Sequence, residues 1–146
     1  MDDASYMNYK RFDNKVVVRI DKGEEIVDQL KTICKKLDIK FGSIVGIGAT
    51  DKVTISLLNT KTKKYQSKEF TGDHEIAPLV GNITMMNNEV YLHLHVTICN
   101  IEHKALGGHL TQALVSATFE GIIDIIEGQV TREYNDEVGL NLLSLK

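Results

Sequence analysis

The sequence contains, at residues 16–37, the segment VVVRIDKGEEIVDQLKTICKKL, in which a β-branched run passes into a helical pattern. The run at residues 16–20 has the composition of a β-strand. Asp21 is a suitable N-cap, and Glu24 three residues later completes a pattern typical of a capping box. The segment therefore predicts a strand followed by an amphipathic helix that lies on a sheet. The apolar face of this helix is formed by Ile26, Val27, Leu30, Ile33, Cys34 and Leu37.

Outside this segment, most of the sequence has the patterns of β-strands. Residues 105–110 form a glycine-bent segment, and residues 114–126 suit either a helix or a strand, with β-branched residues favouring a strand in the second half. The sequence predicts an α+β domain with about six or seven strands and one principal helix. Further strand-like runs occur at residues 42–49, 52–58, 65–70, 79–86 and 90–98.

The length and composition are those of one ordinary globular domain. The chain has 146 residues, and its polar residues 1–14 are predicted to be a flexible N-terminal segment before a folded domain at residues 15–146. Two cysteines do not make a disulfide framework. The N-terminus lacks the pattern of a signal peptide, and no apolar run is long enough to span a membrane. We therefore expect a cytoplasmic protein without a membrane partner.

The charge balance argues against nucleic acid as a partner. Lysine and arginine number 17 against 20 acidic residues, which gives a formal charge of −3. Only three of the basic residues are arginine, the side chain that best recognises phosphate and guanine. A basic patch remains at a predicted hairpin turn and the strand after it. It consists of Lys61, Lys63, Lys64 and Lys68, and it is either a solvated loop or a weak nucleic-acid contact.

Three of the five histidines lie within seventeen residues of one another. In the run at residues 91–96, the strand period of two places His93 and His95 on one face, and Leu92, Leu94 and Val96 point to the other. Two neighbouring imidazoles suit zinc or another transition metal. His109 can supply a third ligand because Gly107 and Gly108 allow the chain to bend before it. The same pair also suits a polar face or a subunit contact.

Three blocks of sequence, taken together with their order and spacing, resemble the PPC (plant and prokaryote conserved, DUF296) domain family. The first is residues 46–49 with the strand at 53–58, the second is residues 75–83, and the third is His93-Leu94-His95 followed by residues 107–110. The tail at residues 132–140 looks like that of bacterial members. The resemblance covers nearly the whole chain, from about residue 10 to its end.

This resemblance implies a single domain with a mostly antiparallel sheet, assembled as a homotrimer. It also implies a metal, usually zinc, held at the positions of His93, His95 and His109. Plant members carry AT-hook segments that bind DNA, and bacterial members are often named DNA-binding for this reason. This chain has no Arg-Gly-Arg-Pro segment, so we do not transfer that activity. The wider fold group is similar to acetolactate decarboxylase, whose zinc is also bound by a His-x-His pair and a later histidine.

Three functions are consistent with these observations. The first is a trimeric metal-binding domain with a regulatory or scaffolding role. The second is a zinc-dependent lyase or hydrolase acting on a small carbonyl or carboxylate compound. Here Glu75 or Glu120 would transfer a proton, and Arg132 would pair with a substrate carboxylate. Alternatively, both residues have structural roles: Glu75 is a capping residue or forms an ion pair, and Arg132 holds the C-terminal tail in place. The third function is DNA binding by the domain itself.

Overall fold

The computed structural model describes residues 8–146. They form one helix and one mixed sheet of eight strands, in which all neighbours are antiparallel except β4 and β7. No helix in this part of the chain is long and apolar enough to cross a membrane. The elements are β1 (Asn8–Phe12), β2 (Lys15–Asp21), α1 (Ile26–Lys36), β3 (Gly42–Asn59), β4 (Lys64–Met86), β5 (Glu89–Cys99), β6 (Ala105–Ile125), β7 (Thr131–Asn135) and β8 (Leu140–Ser144).

The structure confirms the α+β class and adds strands at the two ends of the chain. At the N-terminus, β1 pairs antiparallel with β2, so residues 8–12 do not belong to a flexible segment. Residues 1–7 of the segment expected to be flexible lie outside the described residues. At the C-terminus, β7 and β8 form a hairpin. These short strands bring the number to eight rather than six or seven, since none of the three five-residue segments alternates regularly between apolar and polar residues.

The helix begins later than the sequence predicts, and its N-cap is Glu25 rather than Asp21. The Glu25 carboxylate accepts hydrogen bonds from the backbone N–H groups of Val27 and Asp28 at 2.9 and 3.0 Å, and from that of Ala113 at 2.9 Å. Glu24 does reach back to the N–H of Asp21, at 2.7 Å. The capping-box contact therefore exists, but it closes a turn that precedes the helix.

Three long strands carry most of the sheet. The runs at residues 42–49 and 52–58 are one strand, β3, interrupted by register shifts against β4. The ambiguous segment at residues 114–126 is strand up to Ile125 and continues the glycine-bent segment as β6. Because β3 pairs with β4, β4 with β5, β5 with β6 and β6 with β3, the pairings close a circuit of four strands. Because of this closure, the first residues of β6 pair with the last residues of β5.

The hydrophobic core lies between α1 and one face of the sheet. Helix residues Leu30, Ile33 and Cys34 are buried in the same cluster as the inward-facing residues of β2, β5 and β6. The Phe119 ring is fully buried and occupies the space beside Gly46, where a side chain would collide with it. The glycine-rich run at residues 42–49 is therefore a strand that accommodates an aromatic ring.

Candidate metal centre

The alternation predicted for the His-x-His segment is present in β5. Leu94 and Val96 are 1% and 3% exposed and belong to the core, whereas His93 and His95 lie on the opposite face of the strand. The centroids of the two imidazole rings are 5.1 Å apart. The strand itself therefore presents two ligands in one direction, as the sequence predicts.

The third histidine reaches this pair because β6 adds to β5. His109 is the direct partner of His95 in the antiparallel register. A Cβ atom at Gly107 would lie 2.6 Å from the carbonyl oxygen of Val96, and one at Gly108 would lie 2.9 Å from that of Ser56. These glycines allow β6 to lie close to β5 on one side and to β3 on the other.

The three side chains form a cluster suited to a metal ion. Nitrogen atoms of His93, His95 and His109 all lie within 4.8 Å of one another. Ligands of a tetrahedral zinc are roughly 3.3 Å apart, so small rotations of the side chains close the set. The Nδ1 atom of His109 is buried and has no hydrogen-bond partner among the described residues. A bound cation would satisfy it, and the residues therefore fit a metal ion.

Burial and the neighbouring groups favour neutral imidazoles at this cluster. Burial lowers the pKa of His93, and His95, Arg132 and His109 lower it further. Burial also lowers the pKa of His109, with a second contribution from His95. Neutral imidazole is the form that binds metals, so the cluster is prepared for an ion at neutral pH.

A cavity of about 330 Å³ opens beside His93 and His109. We call it the histidine cavity. One part of its wall is the C-terminal hairpin, through Arg132 of β7 and residues at the start of β8. The other part comes from the body of the sheet. The full lining is Tyr65, Asn82, Tyr91, His93, His109, Arg132, Leu140, Asn141, Leu142 and Leu143.

Arg132 is held in this wall by three hydrogen bonds and a ring. Its Nε donates to Oγ1 of Thr84 at 2.9 Å and its Nη2 to Oδ1 of Asn82 at 2.6 Å, while Nη1 donates to the carbonyl of Asn141 at 2.8 Å. The guanidinium also lies over the ring of Tyr91, 4.7 Å from its centroid. Arg132 therefore does hold the tail, and it also faces the histidine cavity.

The structure does not bring Glu75 and Glu120 to the histidines. Both line a second cavity of about 420 Å³, here called the glutamate cavity, which shares no residue with the histidine cavity. Glu75 pairs with Cys99, four residues beyond His95 on β5, or roughly 13 Å along the strand. Glu120 is eleven residues beyond His109 on β6. The enzyme hypothesis requires a proton-transferring group beside the three histidines. Neither glutamate lies there, because the extended strands place both of them at the second cavity.

Lys61 and Lys63 lie in the turn between β3 and β4, whereas Lys64 and Lys68 belong to β4, and all four are exposed. Lys63 is engaged within the molecule, since its Nζ donates to the carbonyl of Asp136 in the turn between β7 and β8. The Lys68 ammonium lies 5.1 Å from the centroid of the Phe70 ring. Lys61 and Lys64 complete a small basic tip on a chain that is acidic overall.

Sequence reasoning missed several residues of the histidine cavity. Tyr91 could have been found, because it lies two residues before His93 and so shares its face of the strand. Tyr65 and Asn82 could not, since they are distant in sequence and reach the site only through pairing of the strands. Tyr65 packs against His109 with ring centroids 5.1 Å apart, and burial together with Tyr91 raises its pKa.

The fold and the site together define a small, largely β domain that carries a three-histidine cluster at the closure of its sheet. The chain belongs to the family of the Plants and Prokaryotes Conserved domain, abbreviated PCC or PPC, whose sequence pattern matches residues 7–127. The family resemblance seen in the sequence is thereby confirmed. No curated protein matches the chain at a significant level.

Solved structures agree with this assignment. A Bacteroides thetaiotaomicron protein described as a candidate DNA-binding protein is 40% identical, with a TM-score of 0.92 over 94% of this chain and 96% of that chain. A metal-containing protein from Archaeoglobus fulgidus is 26% identical, with a TM-score of 0.82 over 93% and 96% of the two chains. Similar proteins have thus been described both as DNA-binding candidates and as metal-containing.

The similarity to acetolactate decarboxylase expected from the sequence is also found in the fold. The enzyme from Bacillus subtilis superposes with a TM-score of 0.56 at 14% identity, over 87% of this chain and 57% of the enzyme. At this identity the similarity is one of architecture alone.

Proposed function

We propose that this protein binds a divalent transition-metal ion, most suitably Zn²⁺, through His93, His95 and His109. The observation that carries the proposal is the convergence of three imidazole nitrogens within 4.8 Å. The buried and unsatisfied Nδ1 of His109 supports it, as does the metal-containing relative from Archaeoglobus fulgidus. Imidazole suits zinc, copper, iron and nickel, whereas calcium and magnesium prefer oxygen ligands.

The ligand number favours a metal that stays open to a small molecule. Structural zinc sites use four protein ligands, whereas three histidines leave a position for water or another ligand. When bound, the ion would polarise an oxygen placed at that position. No acidic residue lines the histidine cavity in the described part of the chain, so a carboxylate that could transfer protons is missing there. We therefore propose that the protein is a metal-binding protein with a regulatory or scaffolding role, and we prefer this function to that of an enzyme.

A homotrimer is the second element of the proposal, and an apolar row on the sheet supports it. Val17 of β2 pairs with Ile122 of β6, which pairs with Val45 of β3, which pairs with Val80 of β4. Val80 in turn pairs with His95. Val45 and Ile122 are 52% and 49% exposed, so the row is open for a second copy of the chain. Association through this row would place His95 next to a subunit contact.

Metal analysis of untagged protein tests the first part. We expect about one ion per chain in the wild type, and nearly none in His95→Gln or in the double variant His93→Gln/His109→Gln. His103→Gln is the matched control, because His103 lies in the exposed loop before β6 and outside the cluster. Equal metal content in the wild type and the double variant would disprove the site.

The mass in solution tests the assembly. Light scattering should give three times the mass of the chain for the wild type, and the single mass for Val45→Lys/Ile122→Lys. Leu57→Lys is the control, since Leu57 is also an exposed apolar residue of β3 but lies near the hairpin tip, away from the row. A monomeric wild type would refute the trimer without affecting the metal site.

DNA binding receives less support from the site. The formal charge is −3, and the basic tip at the hairpin is small and partly engaged with the tail. If the domain bound duplex DNA, the affinity would fall steeply with salt and would depend on Lys61, Lys64 and Lys68. Absence of a mobility shift even at low salt is the expected result.

A further inference from the structure

The histidine cavity has an unbalanced positive charge once a metal is bound. Its ten lining residues include Arg132 and two of the three histidines but no aspartate or glutamate. A divalent ion held by three neutral imidazoles keeps its full charge of two, and Arg132 adds a third. Charges this close in a partly buried site need a counter-charge. The protein does not supply one there, so the cavity favours an anionic ligand.

Arg132 retains donors for such a ligand. A guanidinium has five N–H groups, and three of them donate to Thr84, Asn82 and Asn141. Two remain, one on each terminal nitrogen. The three bonds and the ring of Tyr91 fix the group in place, which reduces the entropy lost when it binds an anion.

Arg132 and the metal ligands are close enough to share one small molecule. Asn82, which accepts a bond from Arg132, is the direct cross-strand partner of His93. Cβ atoms of such partners are about 5 Å apart, so the guanidinium lies within one side-chain length of the cluster. Burial lowers the pKa of Arg132, but an arginine stays charged under all ordinary conditions.

The rest of the lining indicates an organic ligand. Leu140, Leu142 and Leu143 of the C-terminal hairpin form an apolar side of the cavity, and Tyr65 and Tyr91 add two rings. An inorganic anion would leave these surfaces without contacts. The volume of about 330 Å³ is at the small end of ligand pockets, which favours a small ligand.

We propose that the histidine cavity binds a small carboxylic acid, with one carboxylate on Arg132 and a second oxygen at the open position of the metal. This inference rests on the proposed metal site. It gives the C-terminal hairpin, which follows the residues matched by the family pattern, the role of completing a ligand pocket. Arg132 is then a ligand-binding residue in addition to an anchor of the tail.

The test uses the full chain loaded with cobalt(II), whose visible spectrum reports the ligands of the metal. Succinate and acetate are titrated into the protein, with succinamide and acetamide as uncharged counterparts and inorganic phosphate as a further anion. We expect succinate to change the cobalt spectrum saturably and succinamide to leave it unchanged. Arg132→Gln should weaken succinate binding by about tenfold or more, with unchanged cobalt content, and Arg132→Lys should weaken it less.

A control separates the charge of Arg132 from its anchoring of the hairpin. Lys63→Gln removes a hydrogen bond between the β3–β4 turn and the β7–β8 turn, but leaves the charge of the cavity unchanged. We expect it to change the affinity for succinate by no more than about twofold. An equal loss in Lys63→Gln and Arg132→Gln would mean that hairpin position alone matters, and would overturn the role of Arg132.

The remaining outcomes distinguish the two proposals. If the wild type takes up no cobalt, the metal site fails and the ligand site fails with it. If cobalt binds through the histidines but the spectrum does not respond to carboxylates, the metal site stands and this inference is wrong. Equal responses to succinate and succinamide, or a response to phosphate alone, would likewise overturn it.

Discussion

The histidine cavity and the glutamate cavity share the long strands β4 and β6 but differ completely in chemistry. The first contains two histidines and Arg132 and no acidic residue, whereas Glu75 and Glu120 line the second together with small and apolar residues. The two glutamates lie on β4 and β6, and the two histidines lie on β5 and β6. Long antiparallel strands thus keep the glutamates apart from the histidines along their length, even where the sequence suggests one combined site.

This separation decides what each cavity can do. A carboxylate beside the metal would neutralise it and provide a proton acceptor. Without one, the histidine cavity can hold a metal and an anion, but it lacks the usual group for acid–base chemistry. The glutamate cavity has two carboxylates without a histidine or an arginine in its lining.

The largest expected effect comes from the packing beside the glutamate cavity. Phe119 lies between two lining residues of that cavity, Thr118 and Glu120, and its fully buried ring packs into the core. Phe119→Ala should lower the free energy of unfolding by about 3–5 kcal/mol, because it leaves a void next to Gly46. Urea denaturation of the metal-free protein measures this loss.

Its control is Phe12→Ala, an aromatic residue of β1 that is 52% exposed, for which we expect a loss below about 1 kcal/mol. Metal affinity of Phe119→Ala at the histidine cavity should equal that of the wild type, since distant sites act independently. A tenfold loss of metal affinity would show that the two regions are coupled.

Metal binding should have the next largest effect, and it should be confined to one cavity. A metal at one hundred times its dissociation constant stabilises the folded state by about 2.7 kcal/mol, which raises the melting temperature by roughly 5–10 °C. We expect the same rise in the wild type and in Glu75→Gln/Glu120→Gln, and none in His93→Gln/His109→Gln. Thermal unfolding with and without zinc measures it. A smaller rise in the glutamate variant would assign those carboxylates to the metal centre.

Acid should produce the smallest effect, again through the histidine cavity. Burial and neighbouring charges lower the pKa of His93 and of His109 in the folded protein. In the unfolded chain both would titrate near 6.5. The unfolded chain therefore binds more protons below about pH 6.5, so the metal-free protein loses stability as the pH falls from there.

Melting temperatures between pH 7.5 and pH 5 in the presence of a chelator test this dependence. The double variant His93→Gln/His109→Gln should show a weaker decline than the wild type. His103→Gln should follow the wild type, because its side chain lies outside the cluster. Stability that rises on acidification would contradict the expected direction.

The sequence predicted the parts of the fold that depend on neighbouring residues. The helix followed from the spacing of Leu30, Ile33 and Cys34, and the outward direction of His93 and His95 followed from the strand period of two. The N-cap was misplaced by four residues, because two glutamates and an aspartate compete for one turn. The strand β1 was missed, since its pairing with β2 is not visible in its own composition.

By itself, therefore, the sequence determined the helix and the central strands, the family and the identity of three histidines that can act together. Only the tertiary structure decided which other groups join them. The pairing of β5 with β6 sets His109 against His95, and the hairpin of β7 and β8 brings Arg132 to Asn82. The same extended strands carry Glu75 and Glu120 to a different cavity. The physical reason is that side-chain direction repeats every two residues along a strand, whereas register across the sheet depends on contacts distant in sequence.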